Sequence, residues 1–260
     1  MRRHCTFACE GTRLVGTLDE AAGDAGLLIV SGGNEIRSGA WGGQALLAAR
    51  VAAAGSPVFR FDRRGIGDSE GANAGFRGSG PDIAAALAAF RRERPGLRRI
   101  VAFGNCDAAA ALMLGGGYGA DGLVLANPWT LDDEVPDAAE AVPAADSLRA
   151  HYRQRLRDPA ALLRLIRGGV ALGPLVRSLL GSLRKTPPSS LAGELAEGLA
   201  GFGGEAAILL AGRDRTAQTF LARWDKADPR LRHCPPASHS FVEPEARAWL
   251  VAQVSGLLRG

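Results

Sequence analysis

Short continuous apolar runs alternate with amphipathic stretches along most of this chain. Runs such as GLLIVS at Gly26–Ser31 are typical of strands covered on both faces, whereas apolar residues spaced three and four apart, as in Trp41–Ala54, are typical of helices. Strands that alternate with helices predict an α/β fold with a mainly parallel sheet, here of eight strands flanked by helices. The predicted strands are Cys5–Cys9, Leu14–Leu18, Gly26–Ser31, Val58–Phe61, the apolar run that opens Arg98–Leu114, Gly122–Asn127, Ala206–Leu210 and Leu231–Cys234. Beside Trp41–Ala54, the predicted helices include Pro81–Glu93, Thr216–Lys226 and Pro244–Leu258.

The stretch Arg98–Leu114 (RRIVAFGNCDAAAALML) predicts a strand, a sharp turn and a helix, with Cys106 at the apex of the turn. In a nucleophile elbow, the residues two positions either side of the apex must be small, and Gly104 and Ala108 meet that requirement. The N-terminus of the following helix favours a thiolate, which makes Cys106 a competent nucleophile. A free cysteine is more often a small buried hydrophobe, so the elbow alone leaves both interpretations open.

The alternation of strands and helices breaks between Thr130 and about Gly204. Residues 131–145 hold five acidic residues and no basic one, whereas residues 146–185 hold nine Arg or Lys against two Asp. We predict that 131–203 form a helical cap insertion over the mouth of the site, between core segments 1–130 and 204–260. Arginines at helix-like intervals within it fit either a solvated face or a basic rim that attracts an anionic substrate or a membrane surface. They are Arg149, Arg153, Arg157, Arg164 and Arg167.

Composition narrows the functional classes. The 260 residues, 47% of them hydrophobic, allow one large α/β domain. The formal net charge of +4 comes from arginines spread along the chain without a long basic tail, which argues against nucleic-acid binding. No apolar run is long enough for a leader or a membrane span, so we expect a cytoplasmic protein. The cysteines match neither a disulfide framework nor a paired zinc motif, and we expect no metal or cofactor; they are Cys5, Cys9, Cys106 and Cys234.

A cysteine nucleophile needs a base, and the base needs a group that orients it. Among the four histidines, His239 is the best placed, because it lies in the loop directly after the last predicted strand. Asp214 follows the preceding strand and suits the orienting acid, although an Asp there also fits the N-cap of the next helix, and both roles are compatible. The order nucleophile, acid, histidine is the order of the α/β-hydrolases. We therefore predict Cys106, His239 and Asp214 as catalytic residues.

Acyl transfer also requires donors for the developing oxyanion. We predict two backbone N–H groups, that of Asp107 after the nucleophile and that of Asn34 after the GLLIVS strand, where Gly32 and Gly33 let the backbone come close. The Asp107 carboxylate suits a helix N-terminus but opposes formation of a thiolate beside it, so the resting protonation of Cys106 stays open.

The segment DRRGIGDSEG at Asp62–Gly71 is rich in turn-forming residues. We interpret it as a scaffold turn in which Asp62 or Arg64 ties down the backbone. Ser69 lacks an elbow and is therefore a weaker candidate for a nucleophile.

These segments resemble those of the α/β-hydrolases, and more narrowly those of the exosortase A system-associated hydrolases of type 1. The similarity covers nearly the whole chain, and its most specific part is the cysteine elbow followed by Asp. It rests on SGGNEIRSG at Ser31–Gly39, FDRRGIGDSEG at Phe61–Gly71, GNCDAA at Gly104–Ala109, GRDRTAQTF at Gly212–Phe220 and ASHSF at Ala237–Phe241.

The resemblance implies an α/β-hydrolase fold, a bacterial protein linked to exosortase and exopolysaccharide functions, and triad positions for Cys106, Asp214 and His239. The elbow departs from the Gly-x-Ser-x-Gly of esterases at Cys106 and Ala108. Thioester hydrolysis and acyl transfer are therefore open beside ester hydrolysis.

Two functions of different classes follow. The first is a hydrolase or acyltransferase that uses the Cys-His-Asp triad on a small-molecule or acylated ester or thioester. The second is a non-catalytic protein of the same fold that binds an acylated or polysaccharide precursor, or makes peripheral membrane contact, through the basic insertion. An acid and a histidine in the proper order favour the enzyme.

Overall fold

The computed structural model describes residues 1–131 and 190–260, which form one eight-stranded sheet with helices on both faces. The strands are β1 (Arg2–Cys9), β2 (Thr12–Asp19), β3 (Ala25–Val30), β4 (Val58–Phe61), β5 (Arg99–Asn105), β6 (Gly122–Ala126), β7 (Glu205–Ala211) and β8 (Leu231–Cys234). The helices of the described ranges are α1 (Gly43–Ala53), α2 (Gly80–Glu93), α3 (Asp107–Leu114), α4 (Ser190–Ala200), α5 (Arg215–Arg223) and α6 (Pro244–Arg259), with short 3₁₀ turns at Ala40–Gly42 and Gly116–Gly119.

The sheet has the strand order β1-β2-β4-β3-β5-β6-β7-β8. The β1–β2 and β2–β4 pairs are antiparallel, and every other neighbouring pair is parallel. The predicted mainly parallel sheet of eight strands is therefore confirmed. The carboxyl ends of β3 and β5 to β8 consequently meet at one edge, where ligands of such sheets bind.

Successive side chains of β3 divide the core into two clusters. Leu28 and Val30 pack with α2, α3 and α4, whereas Leu27 and Ile29 pack with α1 and α6 on the opposite face. This is the period of two that a strand imposes, and it explains why β3 reads as a continuous apolar run.

Helix α4 lies within the range 131–203 that was predicted as the insertion, and it packs on the core beside α3. Its residues Leu191, Leu195 and Leu199 are buried in the same cluster as α3. A Cβ added at Gly198 would lie 2.2 Å from the Met113 carbonyl oxygen, so glycine lets the two helices approach. The remainder of the predicted insertion, 132–189, which includes the five arginines at helix-like intervals, lies outside the described residues.

Two predicted boundaries differ from the observed ones. Strand β1 begins at Arg2 rather than Cys5, because Arg2 Nε pairs with Asp19 Oδ1 at 2.6 Å and extends the hairpin. Helix α1 begins at Gly43 rather than Trp41, since Trp41 has a positive φ of 48° and belongs to the preceding 3₁₀ turn. Within the described ranges, no helix is long and apolar enough to cross a membrane.

The segment Asp62–Gly71 is tied down by its own side chains, as predicted. Asp62 Oδ1 accepts the backbone N–H of Arg37 at 2.5 Å, and Asp62 Oδ2 accepts that of Asp68 at 3.1 Å. Ser69 Oγ donates to the Asp62 carbonyl at 2.7 Å. The Ser69 hydroxyl therefore stabilises this turn.

Candidate active site

Cys106 stands at the apex of a sharp turn between β5 and α3. Its backbone has φ 60° and ψ −124°, a conformation that side-chain-bearing residues adopt rarely and that clusters at functional sites. A Cβ added at Gly104 would lie 2.7 Å from the Ala108 carbonyl carbon, which is why this position needs glycine. The chain therefore forms the predicted elbow.

His239 and Asp214 meet Cys106 at the carboxyl edge of the sheet. His239 Nδ1 lies 3.0 Å from Asp214 Oδ1, and the same ring forms a hydrogen bond with the Cys106 thiol. The Asp214 side chain is 7% exposed and that of His239 38%, so the acid is enclosed while the base faces the site opening. The structure thus brings the three predicted catalytic side chains into one hydrogen-bonded chain.

Asp214 also has a second structural role, at the N-terminus of helix α5. Its carboxylate accepts the backbone N–H groups of Thr216 at 3.2 Å and Ala217 at 3.0 Å, and so caps helix α5. The cap and the contact with His239 share one carboxylate, which fixes the direction in which that carboxylate faces the imidazole.

The Cys106 thiol and the His239 imidazole both have a raised pKa. Burial raises the pKa of the Cys106 thiol, and Asp107 adds to that effect, while the hydrogen bond with His239 opposes it. Burial alone would lower the pKa of His239, but the hydrogen bonds with Asp214 and Cys106 outweigh it and raise the pKa to about 10. The reactive state, in which the pair has lost one proton, therefore forms on the alkaline side of neutrality.

Asp107 joins the elbow to the loop after β3. Its buried carboxylate accepts the backbone N–H of Gly33 through Oδ1 at 2.6 Å, and its Oδ2 lies 3.8 Å from Arg63 Nη2. Arg63 Nη2 also donates to the Gly33 carbonyl. Burial raises the pKa of Asp107, whereas Arg63 and the Gly33 N–H oppose that rise by stabilising the carboxylate.

The two predicted oxyanion donors lie on the segments that Asp107 links. The Asp107 backbone N–H hydrogen-bonds toward the Cys106 sulfur, so this donor faces the reacting atom. A Cβ at Gly32 would lie 2.6 Å from Asp107 Oδ1, which shows how closely the loop that carries Asn34 packs on the elbow. The Asn34 side chain accepts from Asn73 Nδ2 at 3.0 Å. The role of the Asn34 N–H remains a prediction.

Two asparagines that were not predicted from the sequence hold the loop after β8 that carries His239, the histidine loop. Asn127 Nδ2 donates to Asn105 Oδ1 at 2.9 Å and to the His239 carbonyl at 3.1 Å, while Asn127 Oδ1 accepts the Ala211 N–H at 2.8 Å. Asn105 Nδ2 donates to the same His239 carbonyl at 3.2 Å. The available signal was a polar residue at the carboxyl end of each of two apolar strands, β5 and β6.

A cleft that is open to solvent lies between α1 and α6. Asn105, the neighbour of Cys106, and Ser240, the neighbour of His239, form part of its wall. Most of its other lining residues are apolar, and they include Trp41, Leu47, Phe103, Phe241 and Leu250.

The fold agrees with that of a known family. A family model described as the alpha/beta hydrolase family matches residues 27–253. The chain belongs to the α/β-hydrolase family. No curated protein matches it in sequence.

Solved structures with the same fold include several hydrolases. An esterase from Pyrococcus furiosus aligns with a TM-score of 0.63 at 14% identity, over 100% of this chain and 91% of the esterase. The α/β-hydrolase GrgF from a Penicillium species aligns with a TM-score of 0.65 at 16% identity, over 100% and 98% of the two chains. A proline iminopeptidase from Mycobacterium smegmatis aligns with a TM-score of 0.59 at 15% identity, over 98% and 99%. At these identities, the likeness of this α/β-hydrolase to each of them is one of fold.

Proposed function

We propose that this α/β-hydrolase is a cysteine-dependent hydrolase or acyltransferase that acts on an ester or thioester. The observation that carries the proposal is the hydrogen-bonded chain from Asp214 through His239 to Cys106, with Cys106 in a strained backbone conformation at a strand-to-helix turn. A cysteine with only a packing role has no need of an imidazole on its sulfur, nor of a buried acid on that imidazole.

The proposed reaction begins when His239 takes the proton of Cys106. The sulfur attacks the acyl carbonyl carbon, and the backbone N–H groups of Asp107 and Asn34 stabilise the negative oxygen that forms. The tetrahedral intermediate then expels the alcohol or thiol, which receives the proton from His239 and leaves an acyl thioester on Cys106.

Release of the acyl group repeats these steps with a second molecule. His239 deprotonates water or another acceptor, which attacks the acyl thioester, and the Cys106 sulfur leaves and regains its proton. Throughout, Asp214 keeps the ring of His239 oriented and favours its protonated form. Hydrolysis and acyl transfer differ only in this acceptor.

The biological setting that we propose is bacterial exosortase and exopolysaccharide metabolism. Its support is the resemblance carried by the cysteine elbow GNCDAA at Gly104–Ala109, together with the loop segments around Asn34, Asp214 and His239. An anionic or acylated precursor of that metabolism would then be the substrate.

Intact-protein mass spectrometry tests the chemical part of the proposal. The wild type is incubated with a panel of activated thioesters and esters, and Cys106→Ala is the matched control. We expect a mass increase equal to one acyl group on the wild type and none on the control. An unmodified wild type across the panel, or an equal adduct on Cys106→Ala, would overturn the proposal and favour the non-catalytic alternative.

A further inference from the structure

The loop after β3 contains a tight turn at Gly32–Glu35. The Glu35 N–H donates to the Gly32 carbonyl at 3.0 Å, which closes a β-turn with Gly33 and Asn34 at its centre. Gly33 has a φ of 52°, whereas Asn34 keeps a negative φ, and this combination defines a type II′ turn. A Cβ added at Gly33 would meet nothing within 4 Å. Glycine is therefore needed there for its backbone conformation rather than for space.

The central peptide of this turn carries the predicted oxyanion donor, the Asn34 N–H, and also the Gly33 carbonyl. The peptide is trans and planar, so these two groups point in opposite directions. A contact that holds the Gly33 carbonyl consequently also sets the direction of the Asn34 N–H.

Arg63 holds the Gly33 carbonyl from the interior of the protein. Arg63 Nη2 donates to that carbonyl, and the residue is 2% exposed, whereas Asn34 is exposed. The Gly33 carbonyl thus faces the buried side of the loop, and the Asn34 N–H faces the open side. Asp107 fixes the neighbouring peptide, because its Oδ1 accepts the Gly33 N–H at 2.6 Å while its Oδ2 lies 3.8 Å from Arg63 Nη2.

The same turn has a second conformation of low energy. Rotation of its central peptide by half a turn converts type II′ into type I′, in which the third residue has a positive φ. Asparagine tolerates a positive φ better than most residue types, so Asn34 does not exclude this form. The rotated peptide would direct the Asn34 N–H toward Arg63 and away from the open side. A contact from outside the turn must therefore select between the two forms.

Packing alone does not explain an arginine at position 63. Its Nε and Nη1 are buried without a hydrogen-bond partner among the described residues, and such burial costs free energy. A buried ion pair often stabilises a fold no more than apolar side chains of similar volume do. The guanidinium supplies what an apolar side chain lacks, a donor for the Gly33 carbonyl.

We propose that Arg63 is a positioning residue that fixes the Gly33–Asn34 peptide so that the Asn34 N–H faces the acyl oxygen of a substrate on Cys106. The proposal rests on the proposed function, because this direction matters for catalysis only if an oxyanion forms there. Arg63 acts through the turn rather than on the substrate.

Two reactions of one thiol test the proposal in the full-length protein. Acylation by a thioester develops an oxyanion, whereas alkylation by iodoacetamide displaces iodide from a saturated carbon and develops none. Peptide mass spectrometry follows both reactions at Cys106. In Arg63→Met we expect acylation to fall about a hundredfold relative to alkylation, as for the loss of one oxyanion donor. A shifted thiol pKa or a loosened fold would change both rates, and a parallel change in both would overturn the proposal.

Two further arginine variants provide the control and the rescue. Arg64→Met removes ion pairs with Glu10 and Asp82 from the adjacent position and should leave the ratio of acylation to alkylation unchanged. Arg63→Lys retains a charged donor and should recover about tenfold of the loss seen in Arg63→Met. An equal fall of the ratio in Arg64→Met would contradict a specific role for Arg63.

Asn34→Pro removes the proposed donor itself, at a position whose negative φ proline can adopt. We expect a loss of acylation similar to that in Arg63→Met. Because both substitutions then act on one N–H, the double variant should be no slower than Asn34→Pro alone. Losses that multiply in the double variant would show that Arg63 acts by another route.

Crystal structures of the wild type and Arg63→Met separate this proposal from the proposed function. We expect the Gly33 carbonyl of the variant to turn outward and Asn34 to take a positive φ. An unchanged peptide in Arg63→Met would overturn the role of Arg63, even in a protein that thioesters acylate. A rotated peptide, together with a wild type that no ester or thioester acylates, would refute the cysteine chemistry alone.

Discussion

Asp107 Oδ1 accepts a hydrogen bond of 2.6 Å from the backbone N–H of Gly33. The residue after the predicted nucleophile therefore fixes the loop that leads to the predicted oxyanion donor Asn34. Its negative charge faces Arg63, whose Nε and Nη1 are buried without a hydrogen-bond partner in the described structure. An acidic residue beside Cys106 is thus explained by what it holds in place, although it also disfavours a resting thiolate.

Replacement of Asp107 should separate its charge from its shape. Asp107→Ala leaves the Gly33 N–H without its acceptor and the buried Arg63 without its neighbouring carboxylate, and we expect a loss of about 3 kcal/mol in the free energy of unfolding. Asp107→Asn retains an oxygen for Gly33 and should lose less, about 1 kcal/mol. Urea unfolding of both variants measures the difference. Equal stability of Asp107→Ala and wild type would mean that the contacts of Asp107 with Gly33 and Arg63 do not stabilise the fold.

The pH dependence of acylation follows from the raised pKa values. Because the reactive form of the Cys106–His239 pair has lost one proton, and because the pKa of His239 is raised to about 10, the rate should increase from neutral pH into the alkaline range. Stopped-flow acylation over that range provides the profile. A rate that stays constant from about pH 6, near the ordinary pKa of histidine, upward would contradict this. It would show that the Cys106–His239 pair has already lost one proton at neutral pH.

Asp214→Asn should move that profile without removing the cap of α5. The amide oxygen can still accept the Ala217 N–H, but it carries no charge to favour a protonated His239. We expect the rise in rate to shift to lower pH and the maximal rate to fall about a hundredfold or more. Circular dichroism of the variant should match that of wild type. An unchanged profile would exclude Asp214 as the partner that sets the pKa of His239.

Asn127 and Asn105 offer a graded test of the histidine loop. Asn127→Ala removes hydrogen bonds to the His239 carbonyl and to the Ala211 N–H, both in the interior, and should lower the free energy of unfolding by about 2 kcal/mol. Asn105→Ala leaves the Ala211 contact in place and should lower it by about half as much. Both variants should acylate more slowly, because His239 is held less firmly. Full activity in both would show that other contacts position the loop.

Gly104 and Gly193 form a matched pair for the elbow itself. Gly104→Ala places a Cβ 2.7 Å from the Ala108 carbonyl carbon, so the strand and the helix must separate, and we expect a loss of about 3 kcal/mol or more in unfolding free energy. At Gly193, on α4, a Cβ meets nothing within 4 Å, and Gly193→Ala should stabilise the helix by about 0.5 kcal/mol. Thermal unfolding compares them. Similar effects at both positions would contradict the close approach at the elbow.

The fold was largely predictable because β3, β5, β6 and β7 are covered on both faces. Such strands are continuous apolar runs, and their burial depends on residue type more than on particular partners. The elbow was predictable for a related reason, since the small residues Gly104 and Ala108 reflect a local steric requirement. Where local sterics or burial decide the structure, the sequence carries the information.

Contacts between distant segments were not predictable in the same way. The Asn127–His239 hydrogen bond joins residues 112 positions apart, and the Gly33–Asp107 bond joins residues 74 apart. The residue types of Asn127 and Asp107 do not identify their partners, because an asparagine or an aspartate could equally face solvent or cap a turn. The start of α1 was misplaced for another reason, since alanine-rich periodicity does not show that Trp41 has a positive φ.

The position of Asn127 also has a consequence for the order in which the chain is made. Its side chain joins β6 to a residue of β5 that is synthesised earlier and to residues of β7 and the β8 loop that are synthesised later. Until His239 leaves the ribosome, the amide of Asn127 must remain solvated or be buried without all of its later partners, at a cost in free energy. The segment that carries His239 therefore completes the polar contacts inside the sheet at the same moment that it delivers the base.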